Sequence, residues 1–277
     1  MAINSTGLQP GKGAGEENNS PALPISSDVT TALSAVSLRC VECSTLYPAL
    51  EPGQASPLPR YRCICGGVLD VEMPFNLPGS RSSVTREDAA GDDLPPGSGW
   101  RQLFDERATT PPIWSISTDR ELLDTSGVWR YRELILPAPE AYVVSRPEGN
   151  TSLYPVGSEN CGPGRAGHRQ IGSYAGLERF FLKHEGENPT GSFKDRGMTV
   201  GVTMARMLGA KAVACASTGN TSASLASYAA QAGMRGIVFL PAGHVAGGKL
   251  AQSLAYGAQT IQIAGDFDDA MRLVEQV

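Results

Sequence analysis

The sequence predicts an α/β fold in which βαβ units form a mostly parallel sheet. From Arg179 onward, short apolar runs that suit strands alternate with longer segments of helical periodicity. Three glycines follow the helical segments, where a helix commonly ends in a left-handed backbone conformation: Gly209, Gly233 and Gly257. A chain of 277 residues with 41% hydrophobic residues can bury the core that such a covered sheet requires.

The predicted elements of this domain follow one another in a regular order. The strands are FFLKHE, KAVACAS, GIVFLPAG and QTIQIAG, and the helices are SFKDRGMTVGVTMARMLGA, TSASLASYAAQAG, VAGGKLAQSLAYGA and DFDDAMRLVEQV. The last helical pattern reaches Val277 without a cap or a following strand. We therefore expect the α/β domain, residues 141–277, to be incomplete at its C-terminus, as in a fragment of a longer protein.

Three regions precede the α/β domain. Residues 1–36 are rich in Gly, Ser, Asn and Pro without apolar periodicity, which predicts a disordered, solvated tail. Residues 37–74 form a compact cysteine module of two strand-turn segments. Residues 75–140 are a linker with two candidate docking helices, WRQLFDERATTPP and GVWRYRELILPAP, which prolines end.

The charge balance is mildly acidic, with 23 Lys and Arg against 28 Asp and Glu, a net charge of −5. This balance offers no basic surface for nucleic acid or an anionic membrane, so we expect neither as a partner. The sequence also lacks a stretch of about 20 apolar residues and an N-terminal leader pattern. A cytoplasmic location is therefore expected.

Four of the six cysteines cluster as C-x2-C, nineteen residues, then C-x-C: Cys40, Cys43, Cys63 and Cys65. Four thiolates satisfy the tetrahedral preference of zinc, and a reducing compartment favours metal binding over disulfides. The pattern predicts a structural zinc site in a zinc-ribbon-like module, with Gly66 relieving the shortened second turn. A metal-free remnant and a redox pair remain alternatives.

Lys194 lies in ENPTGSFKDRG, where a turn precedes a helix. Thr190 or Ser192 can cap that helix, and Asp195 suits the positive end of its dipole. The same end disfavours an ammonium, and a lysine that loses its proton easily can attack an aldehyde to form a Schiff base. The alternative is an ordinary surface lysine paired with a carboxylate.

A second candidate segment is ACASTGNTSASLAS, in which small and hydroxyl residues follow a strand and precede a helix. Backbone amides near Gly219 can approach a carboxylate or phosphate at the helix N-terminus. The alternative is a plain capping loop, since the same residue types are favoured helix caps.

Together with EGNTSL at residues 148–153, these segments resemble the pyridoxal-phosphate enzymes of the tryptophan-synthase β-like fold type (fold type II), most closely the threonine synthase branch. Six motifs occur in the family's order: the cysteine module, LFDER, GVWRYRELILP, EGNTSL, ENPTGSFKDRG and ASTGNTSASLASYAA with its downstream YGA. The resemblance implies a lyase that converts O-phospho-L-homoserine and water to L-threonine and phosphate, and a homodimer is one assembly that it allows.

The resemblance also implies roles for individual residues. Lys194 would form the Schiff base with pyridoxal 5'-phosphate and carry protons between substrate carbons, Asn220 would hydrogen-bond the ring oxygen, and Phe193 would pack beside the cofactor. Four hydroxyl residues would bind the substrate: Ser217, Thr218, Thr221 and Ser222. The residues that cradle the cofactor phosphate lie in the family's second half.

Departures and alternatives accompany this assignment. The family commonly reads EGNTPL, so Ser152 is expected to loosen that turn, and His184 replaces a frequently acidic residue. Within the fold type, threonine dehydratase and cysteate synthase would use the same Lys194 and Asn220. A zinc-ribbon scaffold without catalysis and a simple phosphate-binding βαβ unit are alternatives of different classes.

Overall fold

A computed structural model describes residues 25–50, 60, 62–73, 98–108, 119–157, 166–243 and 247–275. The helices are α1 (Ser27–Leu33), α2 (Ser98–Ala108), α3 (Asp119–Thr125), α4 (Ala166–Ala175), α5 (Lys194–Met207), α6 (Asn220–Ala232), α7 (Gly247–Ala255) and α8 (Phe267–Val274). The strands are β1 (Ser37–Cys40), β2 (Leu46–Pro48), β3 (Leu69–Glu72), β4 (Leu153–Pro155), β5 (Phe181–Lys183), β6 (Ala212–Ala216), β7 (Arg235–Pro241) and β8 (Gln259–Ile263). Short 3₁₀ helices span Trp129–Leu134, Glu140–Tyr142 and Glu185–Glu187.

The C-terminal part is an α/β unit with a parallel sheet of order β6-β7-β8. Helix α6 connects β6 to β7, and α7 connects β7 to β8, as the alternating pattern predicts. The helix-ending glycines adopt positive φ angles, 73° at Gly209, 67° at Gly233 and 80° at Gly257. The predicted α/β class with parallel βαβ units is therefore confirmed for residues 212–274.

Strand β5 departs from the expected parallel arrangement. It pairs antiparallel with β4, with Tyr154 opposite Leu182, in a separate two-stranded sheet. The amides of Val156 and Gly157 extend this pairing by donating to the Phe180 carbonyl. Because β4 supplies these partners immediately beside β5, the FFLKHE strand does not join the parallel sheet.

Helix α6 lies at the centre of the α/β unit. Its residues 222–229 are all buried, between α5 on one side and α7 and the sheet on the other. Most of these residues are Ala or Ser, and small side chains allow neighbouring helices to approach closely. The exceptions in size are Leu225 and Tyr228, and Tyr228 is fully buried with Val144 and Val202.

The prediction of a solvated tail through residue 36 is wrong for its last part. Residues 27–33 form α1, which Ser26 caps by accepting a hydrogen bond from the Val29 amide. Val29 and Leu33 are fully buried in a core cluster with Trp129. Apolar side chains one turn apart on a short helix were enough to dock it, although the flanking composition is polar. Residues 1–24 lie outside the described part of the chain.

The two candidate docking segments form one α-helix and one tighter helix. WRQLFDER lies in α2, where Arg107 is buried and donates to both carboxylate oxygens of Glu133 at 2.6 and 2.8 Å. GVWRYRELILP instead forms the 3₁₀ helix from Trp129 to Leu134. The fully buried Trp129 donates its indole N–H to Thr199 at 2.7 Å, which anchors the segment on α5.

The cysteine segments form a three-stranded antiparallel sheet of order β2-β1-β3, which places both cysteine turns at one end.

The domain boundaries proposed from the sequence stay predictions. Among the helices in the described ranges, none has the length and apolar character that crossing a bilayer requires.

Ser152 strengthens the turn that it was expected to loosen. Its amide donates to the Glu187 carboxylate at 2.6 Å, and its carbonyl accepts from the His184 amide at 2.9 Å. The same carboxylate accepts from the Tyr154 hydroxyl at 2.9 Å and lies 3.1 Å from the His184 ring. The Ser152 amide is the principal reason why the pKa of Glu187 falls to about 2. A proline at this position has no N–H to donate.

Truncation of the α1 anchor is expected to destabilise the fold. Leu33→Ala should lower the free energy of unfolding by about 2–4 kcal/mol, because it leaves a cavity beside Trp129. Thr31→Ala, on the exposed face of the same helix, should change it by less than about 0.5 kcal/mol. Urea denaturation of the two variants checks this, and equal midpoints would contradict the docking of α1.

Ser152→Pro should destabilise the protein in a pH-dependent way relative to Ser152→Ala, which keeps the amide. The depressed pKa of Glu187 contributes stability that is present above its ordinary value of 4.5 and is lost as the pH falls towards about 2. The deficit of the proline variant should therefore be largest near neutral pH and shrink with acidification. Proline's effect on the unfolded chain does not depend on pH, so a pH-independent difference in urea midpoints would refute the role of the amide.

Candidate functional site

Lys194 is the first residue of α5 and is exposed. Its backbone amide donates to Ser192 Oγ at 3.2 Å, while the formal cap position is occupied by Phe193 without a side-chain cap bond. The Lys194 ammonium lies 4.8 Å from the centroid of the half-exposed Phe193 ring. The site therefore presents a primary amine beside an aromatic surface, at the start of a helix.

Asp195 has a larger role than the dipole partner that the sequence predicted. Its fully buried carboxylate accepts from the Thr190 amide and hydroxyl, both at 2.7 Å, and from Ser224 Oγ at 2.6 Å. The first two bonds close the turn ahead of Lys194, and the third joins it to α6. The carboxylate thereby places the N-terminal ends of α5 and α6 side by side.

Glu148, which opens EGNTSL, is a second fully buried carboxylate. It accepts from Ser126 Oγ at 2.6 Å, from the Tyr228 hydroxyl at 2.7 Å and from the Arg146 amide at 3.0 Å. Burial, followed by the nearby Glu148 charge, raises the pKa of Tyr228, so its hydroxyl stays a donor. Helix α6 therefore holds this segment as well as the Lys194 turn.

The EGNTSL and ENPTGSFKDRG segments are also joined directly. Asn188 accepts from the Gly149 amide at 2.9 Å and donates to Glu185 Oε2 at 2.9 Å. Arg196 donates to both oxygens of Glu185, at 2.8 and 2.9 Å, and reaches Thr151 Oγ1 at 3.2 Å. Arg196 is the main reason why the pKa of Glu185 falls to about 2. These contacts fix the two loops relative to each other.

The predicted substrate loop follows the carboxyl end of β6, where ligands bind in open α/β sheets. Helix α6 begins at Asn220, which is exposed, and its cap residue Gly219 provides no side-chain hydrogen bond to the first amides. Ser217 and Thr218 are half-buried, as is Thr221. Ser217 Oγ accepts from the Gly219 amide at 3.2 Å. The hydroxyl of Ser222 is turned inward, because this buried residue donates to the Gly219 carbonyl at 2.7 Å.

Asp195 brings Lys194 and this loop together, since its bond to Ser224 lies within the first turns of α6. Sequence reasoning assigned no role to Glu148 or Tyr228. A signal was present, because Ser224 and Tyr228 are four residues apart and share one helix face. Two polar side chains at that spacing in the buried part of a helix indicate hydrogen bonds along one face.

The four module cysteines converge, with their Sγ atoms all within 4.8 Å of one another. Two pairs, Cys40–Cys65 and Cys43–Cys63, are 3.5 Å apart. The Tyr47 hydroxyl contacts Cys63 Sγ at 3.0 Å and is the main cause of a pKa of about 6 for that thiol. The second turn depends on two glycines, Gly66 at φ 88° and Gly67, where a Cβ atom would lie 2.8 Å from Cys40 Sγ.

Known proteins are similar in sequence to the part of the chain that contains these segments. Residues 168–277 match a family model described as "Pyridoxal-phosphate dependent enzyme". Threonine synthase of Methanocaldococcus jannaschii is 51% identical over 239 residues, which cover 86% of this chain and 46% of that protein. Threonine synthase of Methanosarcina acetivorans is 51% identical over 162 residues, covering 58% and 36%. Threonine synthase of Mycobacterium leprae is 59% identical over 96 residues, covering 35% and 27%.

The chain thus spans less than half the length of these relatives. Identity of about half over 239 residues nevertheless establishes common ancestry, and the family match includes Lys194 and the loop before α6. The chain is therefore a homologue of threonine synthases, and its residues 168–277 match the pyridoxal-phosphate dependent enzyme family.

Proposed function

We propose that this protein acts as a threonine synthase, a carbon–oxygen lyase that converts O-phospho-L-homoserine and water to L-threonine and phosphate. The observation that carries the proposal is the exposed amine of Lys194 at the start of α5, held beside the N-terminus of α6 by the Asp195–Ser224 bond. The similarity to threonine synthases gives the reaction.

The residues present fit pyridoxal 5'-phosphate. Its aldehyde requires an accessible primary amine, which Lys194 offers, and its ring requires an apolar neighbour, which the half-exposed Phe193 provides. Asn220 is exposed at the start of α6 and offers a side-chain amide to the ring oxygen. When bound, the cofactor supplies the electron sink that makes the substrate Cα proton acidic.

The side chains of this chain would perform the remaining tasks. The Lys194 amine would take the proton from substrate Cα and carry protons to and from Cβ, which requires one base within reach of both carbons. Ser217, Thr218 and Thr221 would bind the substrate carboxylate through hydroxyls and the helix N-terminus. Ser222 would act indirectly, because its hydroxyl donates to the carbonyl of Gly219, the cap residue of α6. Fixed positions for these groups are the protein's main contribution to the rate.

Other reactions of the same fold type are distinguished by their products. A threonine dehydratase would release ammonia from threonine, whereas the proposed reaction releases inorganic phosphate. A cysteate synthase would form cysteate instead of threonine. A catalytically inactive scaffold would not require the exposed Lys194 amine or the exposed Asn220 amide at the start of α6.

Borohydride reduction with pyridoxal phosphate should label Lys194 in preference to other lysines. Because the Asp195 network presents this amine at a formed site, peptide mass mapping is expected to show one dominant adduct, which disappears in Lys194→Ala but not in Lys211→Ala. Labelling spread evenly over surface lysines would sink the cofactor assignment. In a protein that includes the remaining length seen in the relatives, phosphate release from O-phospho-L-homoserine should fall by at least about 10³-fold in Lys194→Ala.

We also propose a structural zinc ion at the four module cysteines. Tetrahedral zinc with Zn–S bonds of about 2.3 Å places its sulfurs about 3.8 Å apart, close to the 3.5 Å pairs found here. The Tyr47 hydroxyl would support one thiolate as a hydrogen-bond donor. Zinc would hold the two cysteine turns together at one end of the β2-β1-β3 sheet.

Zinc analysis by mass spectrometry should find about one zinc per chain, and Cys43→Ser should lose it together with a fall in melting temperature. Glu42→Gln, in the same turn, keeps all four thiols and should retain the metal. Four reduced thiols without metal would support a metal-free remnant instead, and reversible disulfide formation would support redox chemistry.

The homodimer and the cytoplasmic location stay predictions, and light scattering tests the homodimer.

A further inference from the structure

Helix α7 reaches back to the turn that carries Lys194. The half-buried Lys249 donates through Nζ to the Thr190 carbonyl at 3.0 Å and to Gln252 Oε1 at 3.3 Å. Gln252 Nε2 lies 3.5 Å from the same Thr190 carbonyl. An ammonium donor makes a stronger hydrogen bond than a neutral one, so Lys249 dominates this contact.

The other end of α7 is attached to the EGNTSL side of the site. Tyr256, the residue after the helix, accepts from Arg146 at 3.1 Å, and the guanidinium lies 5.2 Å from its ring centroid. Arg146 also donates to Ser227 on α6. Helix α7 therefore contacts the segment ahead of Glu148 at one end and the segment ahead of Lys194 at the other.

Thr190 is the residue through which this contact acts. Asp195 binds both its amide and its hydroxyl, which leaves the carbonyl for a partner outside the turn. Gly191 follows with φ 76°, a left-handed conformation that favours glycine, and its amide donates to the Asn188 carbonyl at 2.8 Å. The Lys249 ammonium is the partner outside the turn. The carbonyl that it binds belongs to Thr190, four residues ahead of Lys194.

We propose that Lys249 is a positioning residue for Lys194: it fixes the Thr190 carbonyl and so couples the β7–β8 connection to the turn that presents the amine. The positioning role of Lys249 rests on the proposed function, whereas the contact between Lys249 and the Thr190 carbonyl does not need the cofactor. Movement of α7 would shift the Thr190 carbonyl and with it the start of α5.

Hydrogen exchange of the amides of residues 188–194 tests the proposal on the protein without cofactor. Lys249→Met keeps the apolar stem and removes the ammonium, so exchange at Thr190 and Gly191 should accelerate about tenfold, because their bonds to Asp195 and Asn188 open more often. Lys249→Arg should restore slow exchange. Lys211→Met, at an exposed lysine directly before β6, serves as the matched control.

A second readout follows the amine itself. The pyridoxal phosphate concentration that gives half-maximal borohydride labelling of Lys194 should rise several-fold in Lys249→Met and return towards the parent value in Lys249→Arg. Unchanged exchange at residues 188–194, or acceleration spread equally over α6 and β7, would overturn the proposal. If the parent protein shows no labelling of Lys194, the proposed function fails, while the exchange experiment still decides whether Lys249 holds the turn.

Discussion

Two buried carboxylates determine how this part of the protein is built. Asp195 and Glu148 are fully buried, and an ionised carboxylate out of water costs several kcal/mol unless hydrogen-bond donors surround it. Both obtain a donor from the same face of α6, Asp195 from Ser224 and Glu148 from Tyr228. The EGNTSL segment and the Lys194 turn can fold as observed only when α6 supplies these donors.

Because of this dependence, the exposed and the buried polar groups of the site have different roles. The exposed groups, Lys194 and Asn220, are the ones available to a ligand. The buried groups around them satisfy one another's hydrogen bonds and keep the backbone in place, as the Asn188 and Arg196 contacts also do. Binding groups that are held by a fully satisfied polar interior need little rearrangement when a ligand arrives.

The sequence predicted the elements better than it predicted their contacts. Strand and helix periodicity identified the βαβ order, and Gly233 marked a helix end, because both signals are local. The pairing of β5 with β4 and the docking of α1 on Trp129 depend on residues distant in the chain, which no local pattern records. The ENPTGSFKDRG motif likewise predicted Lys194 as the candidate amine, but it did not indicate that Asp195 joins α5 to α6. The serine at position 152, where the family commonly has proline, was expected to loosen the turn, yet the Ser152 amide donates to Glu187.

The shared anchoring on α6 limits how this chemistry can be moved to another protein. ENPTGSFKDRG looks like a portable motif, but its Asp195 carboxylate needs Ser224, and the partner loop needs Tyr228 one helical turn further on. A graft of the motif alone would bury a carboxylate without its donor and would be expected to unfold the acceptor scaffold locally. The smallest transferable unit is therefore three discontinuous segments, and a designer would have to transplant them together.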